Sequence, residues 1–229
     1  ARELYFAGNN SQSESLSIFD TERVNIESGQ QASSSFTGTN KAMASLCSEY
    51  PDKGLFLIDL RLHPNVQIQW LLSALEAAKQ LQDLLAEGRH TGNLGNAYTD
   101  LSELEQALNY YEKHREIAHK VDDPRGEANA IGNIANISYA RGNSRDAIKL
   151  YETALQIQQK IEDRRGEGTT LVNLGAAFST LSELSEAISR YEQALKIFEE
   201  LGDKRSQGII LGNLGMANAD MGNIKGAIK

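Results

Sequence analysis

An Asn-aliphatic-small triplet recurs four times at a spacing of 40 residues: Asn93-Leu94-Gly95, Asn133-Ile134-Ala135, Asn173-Leu174-Gly175 and Asn213-Leu214-Gly215. A fixed period of about 20 to 50 residues marks units that stack on their neighbours, because one such unit cannot bury its apolar face alone. The chain is therefore expected to stack into a solenoid and not to fold around one central core. Arrays of this kind usually bind other molecules and seldom do chemistry.

Within each unit a first apolar stripe falls at offsets of three and four, as in Ile131, Ile134 and Ala135, then Leu171, Leu174, Gly175 and Phe178. This is helix spacing. The small-residue column Gly95, Ala135, Gly175 and Gly215 is where a second helix approaches closely. A second stripe, Ala147, Ile148, Tyr151, Ala154, Leu155 and Ile161, is echoed by Ala187, Ile188, Tyr191, Ala194, Leu195 and Leu201. It too is amphipathic and helical. Between the stripes, Gly142-Asn143 and Gly222-Asn223 suit a positive φ. Ser102-Glu103 and Ser182-Glu183 hold the equivalent places, where left-handed serine costs about 1 kcal/mol relative to glycine. Those two turns are expected to be tenser or differently shaped. Between units, Asp123-Pro124, Asp163 and Asp203 stand where an N-cap opens the next helix.

The pattern Leu94-Gly95, Tyr98, Ala107, Tyr111 and its copy Leu174-Gly175, Phe178, Ala187, Tyr191 resembles the tetratricopeptide repeat. The resemblance covers residues 64 to 229. It implies an all-α fold, a right-handed α-solenoid of antiparallel helix pairs. The period exceeds the roughly 34 residues of the standard repeat, so both helices should be longer. The Asn-Leu-Gly-Asn and Asp-Arg-x-Gly-Glu junctions resemble those of LGN/Pins-type polarity scaffolds and of bacterial repeat arrays, with kinesin light chain a looser relative. His114-Arg115 depart from the Ala-Leu pair seen at Ala154-Leu155 and Ala194-Leu195, and Ser138 and Asn218 replace the aromatic. Packing should be weaker there.

Residues 68 to 83 align without a gap on 148 to 163, so a degenerate unit precedes the four clear ones. Its first helix is expected over Asp52 to Leu62, ended by His63-Pro64. The expected organisation is an N-terminal helical segment or linker over 1–47, a degenerate repeat over 48–87, repeats over 88–127, 128–167 and 168–207, and a truncated repeat over 208–229. The stop at Ala227-Ile228-Lys229 reads as the start of a second helix, and hence as a fragment of something longer. Upstream, Ser15 to Ser33 is compatible with a helix outside the repeat pattern. Phe19 to Gln30, Cys47 to Asp52 and Leu60 to Pro64 are similar to the junction before the repeats in bacterial NB-ARC-type signalling ATPases, where the array serves as sensor. The chain itself carries no phosphate-loop motif.

The net charge of −8 and pI near 5.1 argue against a nucleic-acid surface. Cys47 is the single cysteine, so there is no internal disulfide and no Cys-rich metal framework, which matches a cytoplasmic setting. The opening residues lack a secretory signal, and the longest apolar run, Leu55 to Ile58, falls far short of the roughly 18 residues of a membrane helix. His114 and His119 lie on different helix faces and are expected at the surface and not as metal ligands. Cys47, among Ala44, Leu46 and Tyr50, reads as a buried small hydrophobe. Gly166-Glu-Gly168 reads as a junction and helix start. No catalytic residue, metal or cofactor is predicted.

The candidate site is the Asn column Asn93, Asn133, Asn173 and Asn213, widened by Asn96 and Asn136. In tetratricopeptide arrays the first, or A, helices line the concave groove, and Asn donates and accepts at once, so the column could grip an extended peptide. The LGN-like resemblance adds Arg125, Arg165 and Arg205 as peptide contacts. Against this stand two plainer readings: the Asn side chains bond neighbouring helices, and the Arg side chains form solvated pairs with junction aspartates. The expected function is a non-enzymatic scaffold that binds a peptide or protein in the groove. The alternatives are a sensor or autoregulatory arm of a signalling NTPase and a solenoid that self-associates end to end.

Overall fold

The computed structural model describes residues 9–35, 37–38, 40–49, 51 and 64–222. The expected helix over Asp52 to Leu62 and the end at Ala227 to Lys229 lie outside the described residues. Those residues form ten helices and no strand. They are α1 (Asn9–Ser35), α2 (41–49), α3 (Pro64–Leu81), α4 (Leu84–Asp100), α5 (Leu104–Lys120), α6 (Pro124–Ala140), α7 (Ser144–Lys160), α8 (Arg164–Thr180), α9 (Leu184–Glu200) and α10 (Lys204–Asp220). From α4 to α10 every helix has 17 residues. Three-residue turns join them, so successive helices run antiparallel.

One C-terminal device ends α3 and each of these helices. A left-handed residue follows the helix at Gln82, Ser102, Asp122, Gly142, Glu162, Ser182, Gly202 and Gly222, with φ between 55° and 82°. After the first seven of these the next amide bonds back five residues, as in Glu103 N to Tyr98 O at 2.9 Å, Asn143 N to Ser138 O at 3.0 Å and Glu183 N to Phe178 O at 3.0 Å. This is the Schellman closure, which satisfies orphan carbonyls at the helix end. Ser102 (φ 61°) and Ser182 (φ 60°) therefore adopt the same turn as Gly142 (φ 82°) and carry the strain of a left-handed L-residue without changing its shape.

The start signal differs between the two kinds of helix. In α4, α6, α8 and α10 an aspartate caps the third amide: Asp83 to Ala86, Asp123 to Gly126, Asp163 to Gly166 and Asp203 to Ser206, at 2.9 to 3.1 Å. Pro124 follows at the first helical position, where its missing N–H costs nothing. Asn143 and Glu183, which open α7 and α9, make no side-chain cap bond. Helices α4, α6, α8 and α10 are called A helices below, and α5, α7 and α9 B helices.

The chain divides into two units, residues 1–113 and 114–229, within α5. In the first, Ile68, Leu71 and Leu75 of α3 bury against Leu94 and Ala97 of α4. Ala74 and Leu75 are buried as their aligned counterparts Ala154 and Leu155 are. A second cluster joins Ala44 and Cys47 of α2 to Ala77. Cys47 is fully buried, accepts a bond from Gln30 Nε2 of α1 at 3.7 Å, and has its thiol pushed up chiefly by burial. Polar pairs tie the same region: Ser34 to Ser73 at 3.1 Å, and Ser48 with the buried His90 at 3.0 Å.

In the second unit one core runs from Ala135 and Tyr151 through Leu171, Leu174 and Phe178 to Tyr191, Phe198 and Ile210. Helix A packs on helix B within each pair, each B helix packs on the next A helix, and successive A helices touch, α6 with α8 and α8 with α10. Leu201 is the exception to the expected second stripe. It sits at the C-cap of α9 and is 41% exposed.

The small column does its work against tyrosine. A Cβ at Gly175 would lie 2.5 Å from Tyr191 Cε1 and 2.7 Å from Cδ1, and one at Gly95 would lie 2.6 Å from Tyr111 Cδ1. Gly175→Ala should thus cost about 1–3 kcal/mol, read as a lower urea midpoint, while the Tyr ring is forced aside.

His114 corrects the sequence reading. It is not a surface histidine: it occupies the column of the fully buried Ala154 and Ala194, and its Nδ1 is sealed from solvent with no hydrogen-bond partner. His119 is the exposed one, 3.6 Å from Glu127. Burial lowers the His114 pKa, with Asp123 opposing more weakly. Above the unfolded pKa of about 6.5 the ring is neutral in both states. Below it, the unfolded chain binds the proton more readily, so stability falls as pH drops from about 6.5 towards the lower folded pKa. Urea unfolding between pH 7.5 and pH 5.5 should therefore show a smaller pH dependence in His114→Ala than in the parent protein.

Candidate functional site

The first unit contributes Asn93 and Asn96 on α4. Asn93 is half-buried and Asn96 exposed. The Tyr111 hydroxyl of α5 lies 2.8 Å from Asn96 Oδ1 and 3.1 Å from Thr99 Oγ1, and the Thr99 hydroxyl donates to Gly95 O at 2.9 Å. Nearby, Tyr98 and Tyr110 stack at 5.3 Å between ring centroids, with the Lys113 ammonium 5.3 Å from the Tyr110 ring.

In the second unit the Asn side chains come from three neighbouring A helices: Asn133 and Asn136 from α6, Asn173 from α8 and Asn213 from α10. Asn173 and Asn136 meet. Asn173 Nδ2 donates to Asn136 Oδ1 at 3.2 Å, across 37 residues of sequence. The Tyr151 hydroxyl, from the B helix α7, donates to the same oxygen at 2.6 Å. Asn133 and Asn213 side chains have no hydrogen bond among the described residues. Further along α6, the Tyr139 hydroxyl and Thr180 Oγ1 of α8 lie 2.8 Å apart. The Thr180 proton goes to Ala176 O at 3.0 Å, so Tyr139 is the donor.

The floor between these amides is open. Gly132 and Gly212 lie mid-helix beside Asn133 and Asn213, and a Cβ on either would meet nothing within 4 Å. Val172 takes the corresponding place on α8. One turn before and after Asn213, Ile209 (55%) and Met216 (63%) are exposed.

The arginines join the junctions. Arg125 Nε lies 3.2 Å from Asp163 Oδ2, and Arg165 Nη1 lies 2.7 Å from Asp203 Oδ2. Each aspartate thus caps its own helix with Oδ1 and receives the previous repeat with Oδ2. The Arg165 hydrogen bond, followed by the Ser206 amide, holds the Asp203 carboxyl below the usual carboxylate range. Arg205 makes no ion pair among the described residues. A second junction pairing was not foreseen from sequence: Arg164 bonds Glu167 at 2.5 Å and Glu200 at 2.7 Å, while Gln159 Nε2 donates to Glu167 Oε1 at 3.0 Å. The Asp-Arg-x-Gly-Glu string carried the signal, since its Glu lies one turn after its Arg. Gly166 in that string lies under the cap, where a Cβ would stand 3.0 Å from Asp163 Oδ2.

Residues 126–200 match one tetratricopeptide repeat family model, and residues 91–125 match another. Residues 91–200 are tetratricopeptide repeats. The 17-residue helices account for the long period, and the all-α solenoid fold recurs in solved tetratricopeptide structures. The chain is similar to BtubC (BKLC) from P. vanneervenii at 16% identity and TM-score 0.77, covering 92% of this chain and 87% of that one. A Rap protein complexed with competence and sporulation factor matches at 16% identity and TM-score 0.68, covering 82% and 52%. A signal transduction ATPase with numerous domains (STAND) with a tetratricopeptide repeat sensor, from Pyrococcus horikoshii, matches at 24% identity and TM-score 0.62, covering 82% and 29%. The chain thus spans about half of the Rap protein and under a third of the ATPase. No curated protein matches the sequence.

Among the described residues no helix is long and apolar enough to cross a membrane, and no three His, Cys, Asp or Glu side chains gather as a metal site. The open space at Gly132 sets a test of the repeat face itself. Gly132→Ala should raise stability by about 1 kcal/mol in urea unfolding, because alanine restricts the unfolded chain and nothing obstructs its methyl.

Proposed function

We propose that this tetratricopeptide array is a non-enzymatic, cytoplasmic interaction module that holds an extended peptide segment along the A-helix face of its second unit. The observation that carries the reading is the Asn136–Asn173 pair. Two amides from different repeats hydrogen-bond each other, and they keep donors and acceptors exposed at the surface. Asn133 and Asn213 flank the pair without partners among the described residues, and Gly132 and Gly212 leave room for a main chain to approach. A ligand bound this way is recognised through its peptide units, with Ile209 and Met216 as apolar contacts for its side chains. Arg125 and Arg165 act first as links between repeats, and Arg205 is the arginine of that column with its charge open to a ligand. Asn93 and Asn96 extend the same chemistry in the first unit.

A second reading places the array as the sensor arm of a larger signalling ATPase. It is favoured by the likeness to the sensor-bearing ATPase from Pyrococcus horikoshii and by the junction pattern from Phe19 to Pro64. Both readings require a ligand on the repeats, and a Walker loop encoded upstream in the same gene would select the second.

Peptides selected from a random display library on the parent protein should lose affinity at least about tenfold in an Asn133→Ala/Asn173→Ala variant. Helical circular dichroism should stay unchanged. Equal affinity in that variant would remove the A-helix face from the reading. Gly132→Ala, though more stable, should bind the same peptides more weakly.

A further inference from the structure

We propose that Tyr151, a core residue of helix B, is a positioning residue for peptide recognition: its hydroxyl turns the Asn136 carboxamide so that the amide N–H donors face a ligand carbonyl. The proposal rests on the peptide-binding reading above and adds to it a link from the packed core to the recognition face.

The geometry fixes which end of the amide faces inward. Tyr151 and Asn136 lie 2.6 Å apart, within the range of O–H···O bonds and shorter than the roughly 2.9 Å usual for N–H···O. The oxygen of Asn136 is therefore the atom beside the hydroxyl. Asn173 Nδ2 reaches the same oxygen from α8 at 3.2 Å. Two donors from two different helices converge on Oδ1, which occupies both its lone pairs and leaves the side chain with two N–H donors to offer. Asn136 is exposed, so those donors are open to a ligand. Asn173, having given one N–H inward, keeps its own Oδ1. The pair presents a donor beside an acceptor, the complement of the C=O and N–H of one residue in an extended segment, which point to the same side.

Tyr151 is suited to hold such an orientation. Its ring is 1% exposed, in the same core as Ala135, so the hydroxyl cannot wander. Burial raises its pKa far above neutrality, so the proton it donates is always present. The next repeat supplies an internal control. Tyr191 holds the same place on α9 but faces the position of Ala176, and no amide waits for its hydroxyl.

The experiment uses the full chain and the tightest peptide recovered from a random library of about twelve residues on the parent protein, with Kd read by fluorescence anisotropy. Tyr151→Phe should weaken that peptide about tenfold while leaving the urea midpoint near the parent value. Tyr191→Phe should leave Kd unchanged. In an Asn136→Ala background Tyr151→Phe should add nothing, because the tyrosine acts through that amide. In the ligand-free protein, 15N relaxation of the Asn136 side chain should report lost order in Tyr151→Phe. Parent-like Kd or parent-like Asn136 order in Tyr151→Phe overturns the positioning role, as does an equal loss in the Asn136→Ala background. A peptide that binds the parent, fails on Asn133→Ala/Asn173→Ala and ignores Tyr151→Phe overturns this inference alone. If no library peptide binds the parent, the peptide-binding reading falls and the inference with it.

Discussion

The approach of helix A to helix B is the constraint on which the rest of the second unit depends. At Gly175 a Cβ would stand 2.5 Å from the Tyr191 ring, and Ala135 takes the same place one repeat earlier, fully buried. Gly or Ala at this column leaves room for the tyrosine ring beside the A helix. Interiors are packed to near crystal density, so that contact sets the separation of the two helices within narrow limits. The separation in turn lets the Tyr151 hydroxyl of α7 reach across to Asn136 on α6. Core packing and surface chemistry meet in one side chain.

The junctions supply the second coupling, along the array. Two of the capping aspartates, Asp163 and Asp203, serve two repeats, closing their own A helix with one oxygen and taking an arginine from the previous repeat with the other. These pairs are exposed, and exposed ion pairs contribute little to stability. Their use is register: a bidentate demand on one carboxylate fixes how far one repeat slides over the next. The Schellman turns do the same for length, because a left-handed residue at fixed intervals leaves each helix 17 residues and no more. Ser102 and Ser182 keep that geometry at the cost of backbone strain, which shows that helix length is held more firmly than turn comfort.

His114 marks where local expectation and tertiary context part. Its spacing from His119 gave no metal motif, and histidine is common at surfaces, so a surface position followed. The column alignment already held the contrary signal, since the aligned residues are Ala154 and Ala194. What alignment could not supply is the consequence, a ring nitrogen enclosed without a partner. The arginines are a similar case. Their column was legible, but whether the guanidinium turned to a ligand or to an aspartate depended on where the next repeat's cap lay in space.

By itself the sequence determined the helical pairs, their length class, their caps and the family, because each is local: a stripe at offsets of three and four, a small residue at one column, an aspartate before a helix. It also named the Asn columns. Only the tertiary structure decided that Asn173 and Asn136 face each other, that Tyr151 holds their shared oxygen and that Arg125 and Arg165 bridge repeats. Those contacts join residues 15 to 38 positions apart on different helices. A side chain's orientation there is set by hydrogen-bond partners that stacking brings near, and no periodicity along the chain encodes which partner wins.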